Sequence, residues 1–218
     1  SNAKPNEETL HGRTKRISGV SRVMLPKECE DLKPIHRKFL ESRGFDPDLL
    51  IRQYGIMACY TFGMYRYRII IPVYMDRKLV TFTTRDVTDK APAQYIHCPD
   101  RKSSTPIKNT IYGIDEVRDT IVLVEGVLDA WRLGIGAGAL YGTNWTVAQM
   151  NLLRRKNLKN IFIMFDAEET AISKANSLGE ELDIAGCADN VEVLELDQGD
   201  PADLSGKEVN DLRIEIGL

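Results

Sequence analysis

Residues 120–129 read TIVLVEGVLD: a run rich in β-branched residues, then an acid, a glycine and the first turn of a helical pattern. A short apolar run closed by glycine is a buried strand entering a helix. The alternation repeats downstream, with strands predicted at 138–141 (GALY), 161–164 (IFIM) and 191–196 (VEVLEL). Helices follow Gly126, Thr146 and Asp166, and a last one lies near 207–216. Thr146 and Gln149 have capping-box spacing, which fixes one of these starts. Strands alternating with helices predict an α/β unit, a small doubly wound parallel sheet flanked by helices.

Upstream the pattern changes. Residues 33–43 put Ile35, Phe39 and Leu40 on one helical face before Gly44, and 47–54 offer Leu49, Leu50 and Tyr54 as the inner side of a second helix. RYRIIIPVYMDRKLVTFTTRDV (66–87) reads as a hairpin turning at residues 75–77, with Pro72 suited to an edge or a bulge. Residues 4–31 are polar and read as an irregular lead-in, and Ser1-Asn2-Ala3 looks like the scar of a cleaved tag. Three parts follow: 1–31, a mixed α+β subdomain at 32–113, and the α/β unit at 114–218.

Composition limits the function classes. With 218 residues, 43% hydrophobic and 28% charged, the chain can bury a core. No apolar run approaches the roughly 20 residues of a membrane-spanning helix, and a secretory leader pattern is lacking, so a cytoplasmic protein is expected. The four cysteines form no CxxC pair and read as free thiols rather than a zinc ribbon. Residues 1–110 carry 20 Lys and Arg against 12 Asp and Glu, and residues 111–218 carry 9 against 20. A basic half beside an acidic half suits a protein holding a polyanion on one side and divalent cations on the other, or is an unevenly charged solvated surface.

The acids of the second half decide more. In a parallel sheet the strand C-termini share one edge, where ligands bind. Glu125 follows the first strand directly, and Asp129 lies one helical turn above it. IFIMF ends in Asp166-Ala167-Glu168, and VEVLEL leads to Asp200-Pro201-Ala202-Asp203. Singly, Asp166, Glu168 or Asp203 can be a helix cap. Together they would repel one another unless they shared cations, so a divalent-metal site is expected.

The segments IVLVEGVLDAWRLG, LYGTNWTVAQ, IFIMFDAEETA and DQGDPADLS resemble, in order, the motifs of the Toprim fold shared by primases, type IA and II topoisomerases and some nucleases. Upstream, FLESRGFDPDLLIRQYGI, YRIIIPVYMDRKLVTFTTRDV, YIHCP and PIKNTIYGIDEV resemble the N-terminal subdomain of the DnaG-type primase RNA polymerase core. The chain departs from that pattern in having Glu168 as the second acid of the DxD motif, Ala171 for a glycine, Asp203 displaced by Ala202, and Gln94 where a lysine is usual.

The resemblance implies a DNA primase core that makes short RNA primers on single-stranded DNA from ribonucleoside triphosphates. It would be a nucleotidyltransferase using Mg²⁺ or Mn²⁺ held by Asp129, Asp166, Glu168, Asp200 and Asp203, with Glu125 as general base or acid. Arg68, Arg85 and Lys108 would hold template or triphosphate, unless they are solvated or locally paired cations, with Arg68 favoured. Thr143 would meet a phosphate, or belong only to the loop before the Thr146 cap. Tyr60, Phe62, Tyr65 and Tyr67, interleaved with Arg66 and Arg68, would stack on bases or pack in the core, and Trp131 and Trp145 are expected in the core. A replicative helicase and a zinc-ribbon module supplied elsewhere are the implied partners, and a phage or mobile-element source fits the compact, divergent motifs. The chain is too short to add a topoisomerase's strand-passage domain and has no GxxxxGK[ST] loop. A metal-dependent nuclease and a non-catalytic single-strand-binding adaptor are the alternatives.

Overall fold

In the computed structural model, which describes residues 23–218, two short helices come first, α1 (Pro34–Ser42) and α2 (Pro47–Tyr54). Both begin with proline, whose fixed φ and missing N–H suit a first turn. Asp46 caps α2 by accepting the N–H groups of Asp48 and Leu49. Phe39, Leu40 and Leu50 are buried, but Leu49 is 47% exposed. Successive helix positions point about 100° apart, and Leu50 takes the core. Most of the polar lead-in lies outside the described residues; within them Val23 is buried and Glu30 bridges Ala58.

The first sheet is antiparallel, in the order β1 (Met57–Cys59), β2 (Arg68–Met75), β3 (Lys78–Asp86) and β4 (Tyr95–His97). Asp76 and Arg77 both adopt positive φ, the turn geometry that matches hairpin twist, and Asp115 accepts both of their N–H groups. Pro72 sits within an inner strand, yet β1 reaches only as far as Ile70 and a bulge follows at Val73/Tyr74. Its missing donor is therefore tolerated at a local edge.

The second sheet is parallel, in the order β6-β5-β7-β8, with β5 (Thr120–Val124), β6 (Ala137–Ala139), β7 (Leu158–Ile163) and β8 (Ala188–Val193). Strands β7 and β8 begin three residues earlier than their apolar runs predict, because pairing of Leu158 with Ala188 draws polar residues into the ladder. Helices α3 (Val127–Leu133) and α6 (Gly206–Glu215) cover one face, and α4 (Val147–Lys156) and α5 (Glu169–Ile184) cover the other. Thr146 and Gln149 form the expected capping box.

One apolar cluster spans both sheets. Leu40, Ile69 and Ile71 pack in the same core as Val122, Trp131 and Val209. Trp131 donates to the Tyr112 hydroxyl at 2.8 Å and stacks on Tyr54, whereas Trp145 is only half-buried and donates to Glu181. Tyr112 bridges Ala139 antiparallel, extending the parallel sheet with the connection from the first subdomain. Next to it Gly113 has φ 76°, and a Cβ there would stand 2.6 Å from the Ala137 carbonyl. Only glycine passes this junction.

Candidate active site

Three loops leave the parallel sheet along one edge and meet. Glu125 directly follows β5, and its Oε1 accepts the Asp166 N–H at 3.2 Å, which joins the β5 and β7 ends. The Ala167 N–H donates to the Gly199 carbonyl, bringing in the loop that carries Asp200. Asp129, in the first turn of α3, accepts the Gly126 N–H at 2.8 Å, and a Cβ on Gly126 would press on the same oxygen at 3.0 Å. Asp200 and Asp203 each accept the other's backbone N–H across the turn Pro201–Asp203. Glu168 stands at the N-cap of α5.

Glu125, Asp129, Asp166 and Asp200 line one side of a cavity of about 500 Å³. Burial, then the charges of Asp200, Asp166 and Glu125, push Asp129 up to about 7. Burial and the neighbouring acids push Asp166 up to about 6, and Glu125 is raised for the same reasons. Glu168 and Asp203 lie outside the lining but close enough to contribute charge. Among the described residues no three acid, imidazole or thiol groups already converge as a ligand set. The donors nonetheless fit a hard divalent cation: carboxylates from three strand ends, part-buried and repelling one another.

The opposite wall comes from the first sheet. Arg85 on β3 and Tyr95 and His97 on β4 line the cavity, joined by Arg43 from the end of α1 and Tyr141 after β6. The guanidinium carbons of Arg43 and Arg85 stand 4.9 and 5.5 Å from the Phe39 ring centre. Arg85 is 4% exposed, donates to the Gln94 side-chain oxygen, forms a local ion pair with Asp89 at 3.4 Å and keeps an unpartnered Nε. Gln94, in the place of the usual lysine, thus serves to orient an arginine. Arg132 ties this wall to the acid loop, donating to the Ala202 carbonyl at 2.8 Å and to the Arg43 carbonyl.

Two expected phosphate-binding cations are engaged internally. Arg68, 4% exposed, donates to the carbonyls of Gln94 and Ala93. Lys108 donates from one amine to the carbonyls of Leu140, Tyr141 and Asn144, and burial lowers its proton affinity. Replacing Lys108 with methionine leaves those carbonyls without a donor, an expected loss of about 2–3 kcal/mol, or roughly 5–10 °C in melting temperature. Thermal unfolding checks this, and a variant melting with the wild type would return the amine to ligand binding.

Thr143 lies half-buried in the loop after β6, one residue past Gly142, which lines the cavity and donates to the Glu125 carbonyl. The aromatic run divides. Tyr65 packs edge-on against Phe82 in the core and Tyr67 against Tyr60, while Phe62 is 77% exposed. Arg43, Tyr95, His97 and Tyr141 were not predicted as site residues. Strand alternation linked to Arg85 was a usable signal for Tyr95 and His97; at a helix C-cap, Arg43 gave none.

Residues 122–205 match the model of the Toprim-like family. The DNA primase of Myxococcus xanthus is 29% identical over 154 residues, covering 65% of this chain and 25% of its own length. The Aquifex aeolicus primase, solved with its zinc-binding and RNA polymerase domains, superposes with a TM-score of 0.73 at 20% identity, over 85% of this chain and 56% of that one. The RNA polymerase domain of Mycobacterium tuberculosis primase DnaG gives 0.67 at 20% identity, over 85% and 77%. This chain therefore spans about a quarter of the curated relative's length and about half of the Aquifex structure. It carries a Toprim-like domain at residues 122–205 and has the fold of the DnaG-type primase RNA polymerase core.

Proposed function

We propose that this chain is the catalytic core of a DNA primase, joining ribonucleoside triphosphates into short RNA primers on a single-stranded DNA template. The observation that carries this reading is one cavity with carboxylates from three strand ends on one side and two arginines on the other. Such a cavity suits a triphosphate, whose charge calls for cations on both flanks.

A divalent cation, Mg²⁺ or Mn²⁺, held among Asp129, Asp166, Glu168, Asp200 and Asp203 would neutralise triphosphate charge. The remaining work falls to the chain. Arg43 and Arg85 bind phosphate oxygens. Glu125, fixed by the Asp166 N–H, takes the proton of the attacking 3′-hydroxyl. The new bond forms between that oxygen and the α-phosphorus, and pyrophosphate departs with the electron pair of the broken bond. Arg68 and Lys108 act on nucleic acid only through the loops they tie, and Thr143 adds a hydroxyl beside Gly142. The described residues contain no helix long and apolar enough to cross a membrane, and the proposed setting is cytoplasmic replication. Its partners there would be a helicase and a template-selecting zinc-ribbon module.

The test incubates the chain with single-stranded DNA, labelled ribonucleotides and Mg²⁺ or Mn²⁺, with a second label on the DNA. RNA products dependent on template and metal support the primase reading. Shortened DNA without RNA would replace it with a nuclease, and binding without either product with an adaptor.

A further inference from the structure

Cys29 and Cys59 face each other at the outer edge of the first sheet. Glu30 and Ala58 form an antiparallel bridge and exchange both of their backbone hydrogen bonds at 2.9 Å. In an antiparallel ladder such a pair is flanked by non-hydrogen-bonded pairs, whose Cα atoms stand about 4.5 Å apart and whose side chains approach most closely. Cys29 and Cys59 are the flanking pair here, and their Sγ atoms lie 3.9 Å apart. A Cα separation of about 4.5 Å falls within the range that disulfides bridge. Cys98 packs in the same apolar cluster as Cys59, but its thiol meets the Pro99 carbonyl at 3.7 Å, and Cys187 meets the Met150 carbonyl. Neither Cys29 nor Cys59 lines the cavity.

The two cysteines are 30 positions apart, and the segment between them holds α1, Arg43 and α2. At its start this segment meets β1 through the two Glu30–Ala58 bonds, a short attachment at the edge of a sheet. A covalent link at the same place would restrict the unfolded loop, and the effect grows with loop length. Cys29 is half-buried and Cys59 is 1% exposed. Burial, then the neighbouring Cys59, pushes the Cys29 thiol up to about 12, and burial raises Cys59. At neutral pH both groups are therefore thiols, and their exchange with another disulfide is slow, quickening about tenfold per pH unit.

We propose that Cys29 and Cys59 are an oxidative modification site: they form a reversible disulfide, with a small disulfide of the oxidised-glutathione class as oxidant, that fastens the Arg43-bearing helical segment to β1. Cys29, the more accessible thiol, loses its proton to solvent and attacks one sulfur of the oxidant. The S–S bond of the oxidant breaks and one thiolate leaves. Cys59, its proton also released, attacks the Cys29 sulfur and expels the second thiolate. The two departing thiolates take up the two released protons, so two protein thiols are oxidised while one small disulfide is reduced to two thiols. In a reducing compartment the pair rests as thiols, the state in which it stands here. A thiol pool that turns oxidising closes it.

The test treats the whole chain with oxidised glutathione at mildly alkaline pH. Free thiols are counted after denaturation, linked peptides are mapped by mass spectrometry, and melting is followed before and after dithiothreitol. The expected result is loss of two of the four thiols, one linked peptide pair holding Cys29 and Cys59, and a rise of about 5–10 °C in melting temperature that dithiothreitol reverses. Cys29→Ser should show neither link nor rise. Cys59→Ala should stop at the mixed disulfide, with glutathione held on Cys29. Survival of all four thiols would overturn the proposal. So would glutathione retained on Cys29 of the wild type without a link, or a link through Cys98. A Cys29–Cys59 link that leaves melting unchanged would overturn the fastening role.

Discussion

Replacing Glu125 with glutamine is expected to lower RNA primer synthesis at least about a hundredfold while raising the melting temperature of the metal-free chain. Glutamine has the same shape and its carbonyl oxygen still accepts the Asp166 N–H, so the loops keep their join. What disappears is the capacity to take a proton and one negative charge beside Asp166, Asp200 and Glu168. The two effects have opposite signs, which separates a chemical role from a folding defect. Solvent screens half-buried Glu125, so the rise in melting temperature is expected to be small, about 2 °C. Parallel primer-synthesis and calorimetric measurements check both halves; full activity in the variant would remove Glu125 from the chemistry.

The metal-free chain is expected to lose stability as pH rises from about 5 to about 8, and Mg²⁺ to restore it most at the upper end. Asp129 and Asp166 are held at about 7 and about 6 in the folded protein, above their ordinary value of 3.8. Between the two values the folded state binds more protons than the unfolded one. Stability is therefore full below the unfolded value and is lost as pH rises through the folded values, with most of the loss from buried Asp129, because solvent screens the part-exposed Asp166. His36 and His97, whose proton affinities burial lowers, act oppositely, losing stability as pH falls below 6.5. Asp129→Asn isolates the acid contribution, since it should flatten the upper slope and leave the histidine slope. Protons and cations compete for the same oxygens, so the melting shift on adding Mg²⁺ should grow with pH. A shift independent of pH would place the ion elsewhere.

The parallel unit was legible because each level of its sequence agrees: apolar strands, the acid directly after β5, the Thr146 capping box and the order of the acidic loops. Strand ends were less so. Polar residues such as Lys159 and Asn160 enter β7 through pairing with strands distant in sequence, and no local pattern reports that. The acidic side of the cavity could be drawn from the sequence because topology alone brings strand ends together. Its basic side could be drawn only in part: Arg85 was named, but Arg68 was preferred to it and Arg43 was missed. Arg68 and Arg85 are both buried arginines near the ends of paired strands, yet one meets backbone carbonyls and the other meets Gln94 and Asp89 at the cavity wall. Residue type fixes the number of donors, while tertiary packing decides which acceptors they meet.

The apolar cluster shared by the two sheets, with Tyr112 laid against Ala139, has a consequence for timing. The arginine side and the carboxylate side of the cavity hang from one packed interior, so their separation is set by the same contacts that make the chain fold. Moving one side away from the other would open that interior. A ligand entering the cleft thus meets both sides already aligned, and the entropy of bringing them together is lost once, at folding, rather than at every binding event.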